Sequence, residues 1–434
     1  MSEVMRIAEA PAFLALKESP ASGGNVPSSR QPPVLKGTAS SNVAIEIVSD
    51  LQSVAVVWKV FEKLADCTPF QTFGWLVQWQ AHIGEAKGTV PVVVFGRYDD
   101  GDILFILPLA IERRGGLRRL TWLGMELGDY NGPLLADRFS RHPAASDFAA
   151  IWGSILALLR SNPQMHFDLA DLPKMPEMIG EQKNPFLQLQ VFPNRSGAYI
   201  TTLGANWDEF YAAKRSASSR KTMRKKQRHL EAQGKISFVE VVDFDASVQT
   251  LETLIEQKSG AFARMGVENI FMRRGYPEFY RAMVTDPESR DIIHMSRLEV
   301  GSMTAATNVA LQFRERYYLI LSSYHGGELA RLGPGRFHLH ELLRYTIERG
   351  FRYFDFTIGD EPYKLDWSDT KLVLYDHLTA YTLRGWLAVS AANLQRRAIR
   401  FIKQTPVLWH LAVRVRAFIG RRKWKSENAT DESE

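Results

Sequence analysis

Residues 332–364 read LGPGRFHLHELLRYTIERGFRYFDFTIGDEPYK, and their pattern decides the fold. Gly333 and Gly335 flank Pro334, and apolar residues then recur at Leu339, Leu342, Leu343 and Ile347, the spacing of one helix face. Phe354 and Phe356 alternate with Asp355, as on a strand with one side in a core. Gly359 permits a sharp turn, and Asp360, Glu361, Tyr363 and Lys364 gather directly after it. The end of a strand is a usual place for chemistry on an α/β scaffold. The helix offers a second feature. Starting at a glycine-rich turn, it leaves its first N–H groups unpaired and pointing outward, a ready site for phosphate. Arg336 adds a full charge there, beside a helix dipole that contributes about 0.3–1 kcal/mol at an exposed site.

The same alternation of periods extends upstream. AIEIV at 44–48 reads as a strand, and 50–65 has helical spacing through Leu51, Val54, Trp58 and Phe61. VPVVVFGRYDDGDILFILPLAIERR predicts a hairpin turning at DDGD. LRRLTWLG, a helix over 149–159 and HFDLADL complete a first α/β unit. AYITT opens a second, followed by a helix start NWDEFYAAK, a basic helix around 214–228 and strand ISFVEVV. A helix over 247–264, strand IIHMSRLEV and two further strands up to His325 lead back to the opening stretch. The order of elements in the second half broadly repeats that of the first, without an alignable sequence repeat. The reading is therefore α/β, with a flexible arm over 1–42 rich in Ser, Pro and Gly, one lobe over 43–198 and another over 199–383. A basic helical extension over 384–426, kinked at Pro406, and an acidic tail over 427–434 follow.

Composition narrows the class. The 434 residues are 45% hydrophobic and 24% charged, the balance of a globular protein large enough for two domains. One cysteine, Cys67, excludes an internal disulfide and a cysteine-rich metal cluster. No secretory signal or membrane span is expected, which points to the cytoplasm. The net charge of +6 is concentrated: from His377 to Ser426 there are eleven Lys and Arg and no acid, so the rest of the chain sums to −5. A nucleophile elbow of the GxSxG type is absent.

The run from Tyr324 through GPG, ERGFRYFDF, IGDEPYK and Trp367 resembles the second half of the bacterial GNAT-like acyltransferases of the CelD/BcsL type, which are related to the FemAB peptidyltransferases. FQTFGWLVQW, WLGMELGDYNGPLL and SSRKTMRKKQRHLEAQG extend the likeness over about 45–383. The resemblance implies two tandem GNAT-like lobes with mixed central sheets. It also implies an acetyl-CoA or other acyl-CoA donor, bound near Gly333, Gly335 and Arg336 without a metal, and a role in exopolysaccharide or cellulose production. One departure stands out. The usual GNAT pyrophosphate loop has Gln or Arg three residues before its first glycine, where this chain has Ala330, with Arg331 next.

Acyl transfer gives the clustered groups a purpose. An amine of pKa about 10.4 must lose its proton, at a cost near 4.6 kcal/mol at neutral pH. Asp360 or Glu361 is the candidate base, Tyr363 the candidate acid toward a departing thiolate, and Lys364 a candidate hold on donor phosphates or acceptor. His338 and His340 are alternatives for the base, too close in sequence to share a helix face. Arg220, Arg224 and Arg228 form one positive helix face, a candidate site for an anionic acceptor. Its lack of interleaved aromatics argues against specific nucleic-acid binding. In VLWHLAVRVRAFIGRRKWK, Leu408, Leu411, Val415 and Phe418 share a face, so this extension is expected to dock on an anionic membrane surface or a synthase complex. Two other readings compete: a non-catalytic scaffold of such a complex, and an aminoacyl-tRNA-dependent transferase of the FemAB kind.

Overall fold

The computed structural model describes residues 34–39 and 42–404, with side chains as far as Leu394. The expected helix over 407–424, the acidic tail and residues 1–33 lie outside the described residues. Those that are described form two units, one of 34–195 with 373–398, the other centred on 196–372.

The first unit begins with β1 (Leu35–Thr38), a correction to the flexible arm expected through residue 42. It pairs antiparallel with β2 (Ala44–Val48) from Leu35↔Ile47 to Thr38↔Ala44. Helix α1 (Leu51–Leu64) is capped by Asp50, whose carboxylate accepts from the Gln52 N–H, and α2 (Phe73–Trp79) follows. The predicted hairpin is β3 (Val90–Arg97) and β4 (Ile103–Arg114), turning through Gly101 at φ +90°. Then come β5 (Leu117–Trp122), β6 (Leu134–Leu135), α3 (Phe148–Ser161) and β7 (Leu169–Pro176). The short strands β8 (Met178–Ile179), β9 (Gln182–Lys183) and β10 (Val191–Pro193) close the segment. The core beneath α3 is aromatic: Phe186 lies 4.9 Å from Trp122 and from Phe148, and 5.2 Å from Trp152.

The second unit contains β11 (Ala198–Thr202), α4 (Trp207–Lys214), α5 (Ala217–Glu231) and β12 (Ile236–Val241). Helices α6 (Phe244–Met265), α7 (Tyr276–Thr285) and α8 (Pro287–Arg290) precede the meander β13 (Ile293–Val300), β14 (Met303–Phe313) and β15 (Arg316–Tyr324). Helix α9 (Pro334–Glu348) starts within the glycine-rich turn, at Pro334, because proline at a first helical position has no N–H to leave unpaired. Strand β16 (Tyr353–Ile358), α10 (Pro362–Leu365) and β17 (Thr370–Leu372) complete it.

The two sheets share a strand plan. The first runs β1-β2-β3-β4-β5-β7-β18-β10 with β6 paired to β4, where β18 is Leu374–Ala380; the second runs β12-β13-β14-β15-β16-β11-β17. Each has antiparallel strands on both sides of a single parallel pair, β5/β7 and β15/β16, joined through α3 and α9 respectively. An ion pair recurs at the same register. Arg119, opposite Leu169, reaches Asp171 at 3.0 Å, and Arg316, opposite Tyr353, reaches Asp355 at 3.4 Å.

The lobe boundary expected at 383 moves. β18 pairs antiparallel with β7 from Leu374↔Pro176 to Ala380↔Leu169 and so belongs to the first sheet. Buried Asp376 fixes it there, accepting from Asn194 Nδ2 at 2.7 Å and the Lys174 N–H at 3.0 Å. Helix α11 (Leu383–Gln404) follows, close to the extension expected at 384–403.

Candidate active site

Parallel strands β15 and β16 form a ladder over three positions, Arg316↔Tyr353 to Tyr318↔Asp355, while β15 runs on to Tyr324. The regular ladder stops where Thr357 adopts φ +57°. A β-branched residue in that region is a real outlier, costing about 1–3 kcal/mol, and several bonds hold it there. Its N–H donates to Asp355 Oδ1 at 2.7 Å and its hydroxyl to the Leu319 carbonyl at 3.3 Å. Lys364 Nζ donates to the carbonyls of Thr357 and Ile358, at 3.3 and 2.8 Å, and pairs with Glu361 Oε2 at 2.8 Å. Gly359, at φ +125°, leaves room for that carboxylate: a Cβ there would lie 2.4 Å from Glu361 Oε2. Lys364 is 0% and Glu361 2% exposed, so the lysine expected to hold phosphates is instead engaged with protein groups below the surface.

Asp360 differs. Its Oδ1 accepts from Tyr199 Oη at 2.7 Å and Lys371 Nζ at 3.0 Å, and its side chain is 27% exposed. Among the described residues Oδ2 makes no hydrogen bond, which leaves it available to a ligand. Burial, then the Asp360 bond, push the Tyr199 phenol up; the bond with Tyr199, followed by Asp360, raises Lys371. Tyr363 is half-buried, its ring edge-on to Phe356 at 6.3 Å. Pairing of the acids with Lys371 is the alternative the sequence offers, whereas Tyr199 is out of its reach because β11 arrives at the strand end only through sheet pairing.

Gly333 caps α9 at φ +75°, and a Cβ on Gly335 would sit 2.9 Å from Tyr324 Cδ1, so the backbone runs close to that ring. A Cβ on Gly333 would lie 3.9 Å from Lys226 Nζ, which places a cation of α5 beside the turn. Arg336 is exposed. On α5, Arg224 and Arg228 are exposed and Arg220 half-buried, and none of the three forms an ion pair among the described residues. Arg224 and Arg220 lie near Tyr211, whose phenol burial pushes up and these cations oppose. Cations gathered at the positive end of a helix repel it unless an anion joins them. The arrangement thus suits a phosphorylated ligand, with Gly333, Gly335, Arg336 and Lys226 the groups that fit one.

His338 and His340 part company. His340 is half-buried, edge-on to Trp207 at 4.5 Å and Tyr211 at 4.7 Å. His338 is inside the lobe in a buried chain: its Nε2 is 2.8 Å from Ser296 Oγ, which donates to Asn308 Oδ1. Asn308 Nδ2 donates to Tyr317 Oη at 3.0 Å, which leaves the phenol to donate to His294 Nδ1 at 2.7 Å. Burial pushes His338 down to about 3 and His294 to about 4, so both are neutral at physiological pH. A hollow of about 360 Å³ lined by Trp207, Asp208, Arg344 and Glu348 lies toward the far end of α9 and shares none of the candidate residues. Among the described residues no cluster of three or more His, Cys, Asp or Glu could hold a metal ion.

In the first lobe the corresponding strand end is closed differently. Lys174, at φ +62° on β7, donates through Nζ to the carbonyls of Met125 and Gly128, at 3.0 and 2.9 Å. The chain after β5 runs through that loop and reaches α3 only at Phe148.

Residues 217–365 match the family model for an acetyltransferase (GNAT) domain. No curated protein matches the chain significantly. Among solved structures, FemX superposes with a TM-score of 0.50 at 11% identity, covering 76% of this chain and 94% of that one. The C-terminal domain (DUF2156) of a putative lysylphosphatidylglycerol synthetase from Agrobacterium fabrum gives 0.47 at 11%, with 79% and 96% covered. A tandem GNAT protein from the clavulanic acid biosynthesis pathway gives 0.38 at 9%, with 80% and 98%. At such identities the likeness is one of fold, and of these three the FemX superposition bears on it. The chain is an α/β protein, and the residues that match the acetyltransferase (GNAT) domain model lie in its second lobe.

Proposed function

We propose that this protein is an acyl-CoA-dependent acyltransferase whose donor binds in the second lobe, at the glycine turn and the end of the β15/β16 pair. One observation carries the reading: the chain leaving β15 enters α9 through a glycine turn that has Lys226 of α5 beside it, and the α5 arginines form no ion pair among the described residues. Among the described residues of the first lobe α3 begins after Asp147 rather than at a glycine turn, and Lys174 closes the equivalent strand end. The thioester of the donor supplies the activated acyl group. Gly333, Gly335, Arg336 and Lys226 hold its phosphates. Asp360 Oδ2 takes the proton of an amine or hydroxyl acceptor, with Oδ1 anchored by Tyr199 and Lys371. Tyr363 returns a proton to the departing thiolate. Glu361 and Lys364 hold the strand end in shape for the transfer. The likeness to the CelD/BcsL type suggests an acceptor of exopolysaccharide or cellulose production.

The cationic face of Arg220, Arg224 and Arg228 favours a second reading, transfer from aminoacyl-tRNA, because its charge extends beyond what one pyrophosphate needs. Amide hydrogen exchange separates the readings. Acetyl-CoA is expected to protect 319–337 and 357–364 and to leave 119–131 unchanged. Protection spread along α5 by aminoacyl-tRNA, with none from acetyl-CoA, would support the second reading. A folded chain protected by neither ligand would leave the scaffold.

A further inference from the structure

Helix α11 has two unlike faces. Gly385, Ala388, Val389 and Ala392 point inward: Gly385 is so close to the residue preceding β7 that a Cβ there would stand 2.0 Å from the Asp168 carbonyl, and Ala392 is 9% exposed. Thr382 fixes the entry, its hydroxyl donating to Asp168 Oδ1 at 2.7 Å. The opposite face presents Leu383, Trp386, Leu387 and Leu394, exposed by 75, 58, 58 and 69%. Their spacing makes one apolar stripe along the helix. Scattered surface leucines need no explanation, but a stripe with a tryptophan on a helix already anchored by its other face does.

Charge decides what covers it. The α11 sequence carries Arg384, Arg396, Arg397, Arg400 and Lys403 and no acid, and the acid-free run continues to Ser426. A second copy laid on this stripe, or the chain's own 407–424 folded back over it, would bring like charges together without a counter-charge. An anionic lipid surface complements them. Among the described residues no helix is long and apolar enough to cross a membrane, so the fitting geometry is a helix lying in the interface with its apolar stripe against the bilayer.

We infer that α11 docks this protein on anionic bilayers through Leu383, Trp386, Leu387 and Leu394. The inference does not rest on the acyltransferase reading, since none of these residues belongs to the donor site, and acetyl-CoA binding is measured separately. The test is co-sedimentation of the full chain with phosphatidylcholine vesicles, with and without phosphatidylglycerol. Binding is expected to be roughly tenfold or more tighter to the anionic vesicles, and to fall by a similar factor in Leu387→Asp/Leu394→Asp at unchanged melting temperature. Trp386→Ser, which adds no charge, should show a smaller loss in the same direction. Three results would overturn the inference: no preference of the native chain for anionic vesicles, undiminished binding by the double variant, or a dimer that the same substitutions convert to monomer.

Discussion

Lys364 and Glu361 are two of four titratable neighbours in five residues, yet they do different work from Asp360. Replacing Lys364 by Met leaves a carboxylate without its cation at a position 2% exposed, at a cost of about 3–5 kcal/mol. Adding Glu361→Gln should recover much of that loss, because the stranded charge is gone. Urea unfolding of the two single variants and the double measures the coupling, and additive effects would mean the pair is not the unit described. Asp360→Asn keeps an oxygen for Tyr199 and Lys371 but removes the base. Acyl transfer should fall by about 10²–10⁴-fold with the fold retained; an unchanged rate would assign the proton to another group. Sequence showed that chemistry gathers after Gly359 and could not divide it. The division depends on the left-handed Thr357, which turns Lys364 inward, and on Tyr199, 161 residues from Asp360 along the chain.

At the scale of elements, α5 combines a basic face with a place beside the glycine turn. Arg224→Glu/Arg228→Glu is predicted to weaken acetyl-CoA binding by about 2- to 30-fold, up to about 1 kcal/mol per site. The difference should shrink as salt screens exposed charge. Equal affinities at low salt would detach α5 from the donor. The long amphipathic helices α5, α6 and α9 and the β3/β4 hairpin were legible because each carries its own period or turn signal. β17 and β18 were not. Leu374–Ala380 has little alternation of its own and becomes a strand by pairing with β7, some two hundred residues earlier, and through Asp376. A local pattern cannot report a partner that distant.

At the scale of the whole molecule, the two units answer acid differently. In the unit around 196–372, burial holds His294 and His338 neutral, at about 4 and 3, while the unfolded chain protonates both near 6.5. Stability there is complete above about pH 6.5 and declines as pH falls toward the folded values, by up to about 1.4 kcal/mol per pH unit for each histidine. In the other unit buried His377 acts in the same sense, but Glu62, raised to about 7 by burial, acts in the opposite one. Its folded form keeps a proton that the unfolded carboxyl releases, so its contribution is present at low pH and lost as pH rises through 7. Between about pH 6.5 and 5 the unit around 196–372 should lose amide protection faster than the unit of 34–195 with 373–398; equal losses would contradict the assignment. The repeat of strand order, down to the ion pairs Arg119–Asp171 and Arg316–Asp355, was visible in the sequence as an order of elements and no more, since packing preserves a register without preserving the residues around it. Which lobe takes the donor is the central question, and calorimetric titration of acetyl-CoA into the full chain, Gly335→Trp and Arg336→Glu answers it most directly. Micromolar binding by the native chain is expected, lost in Gly335→Trp, which fills the close approach to Tyr324, and weakened in Arg336→Glu, an exposed change that leaves folding intact. Full affinity in both folded variants, or no binding by the native chain, would contradict a donor site in the second lobe.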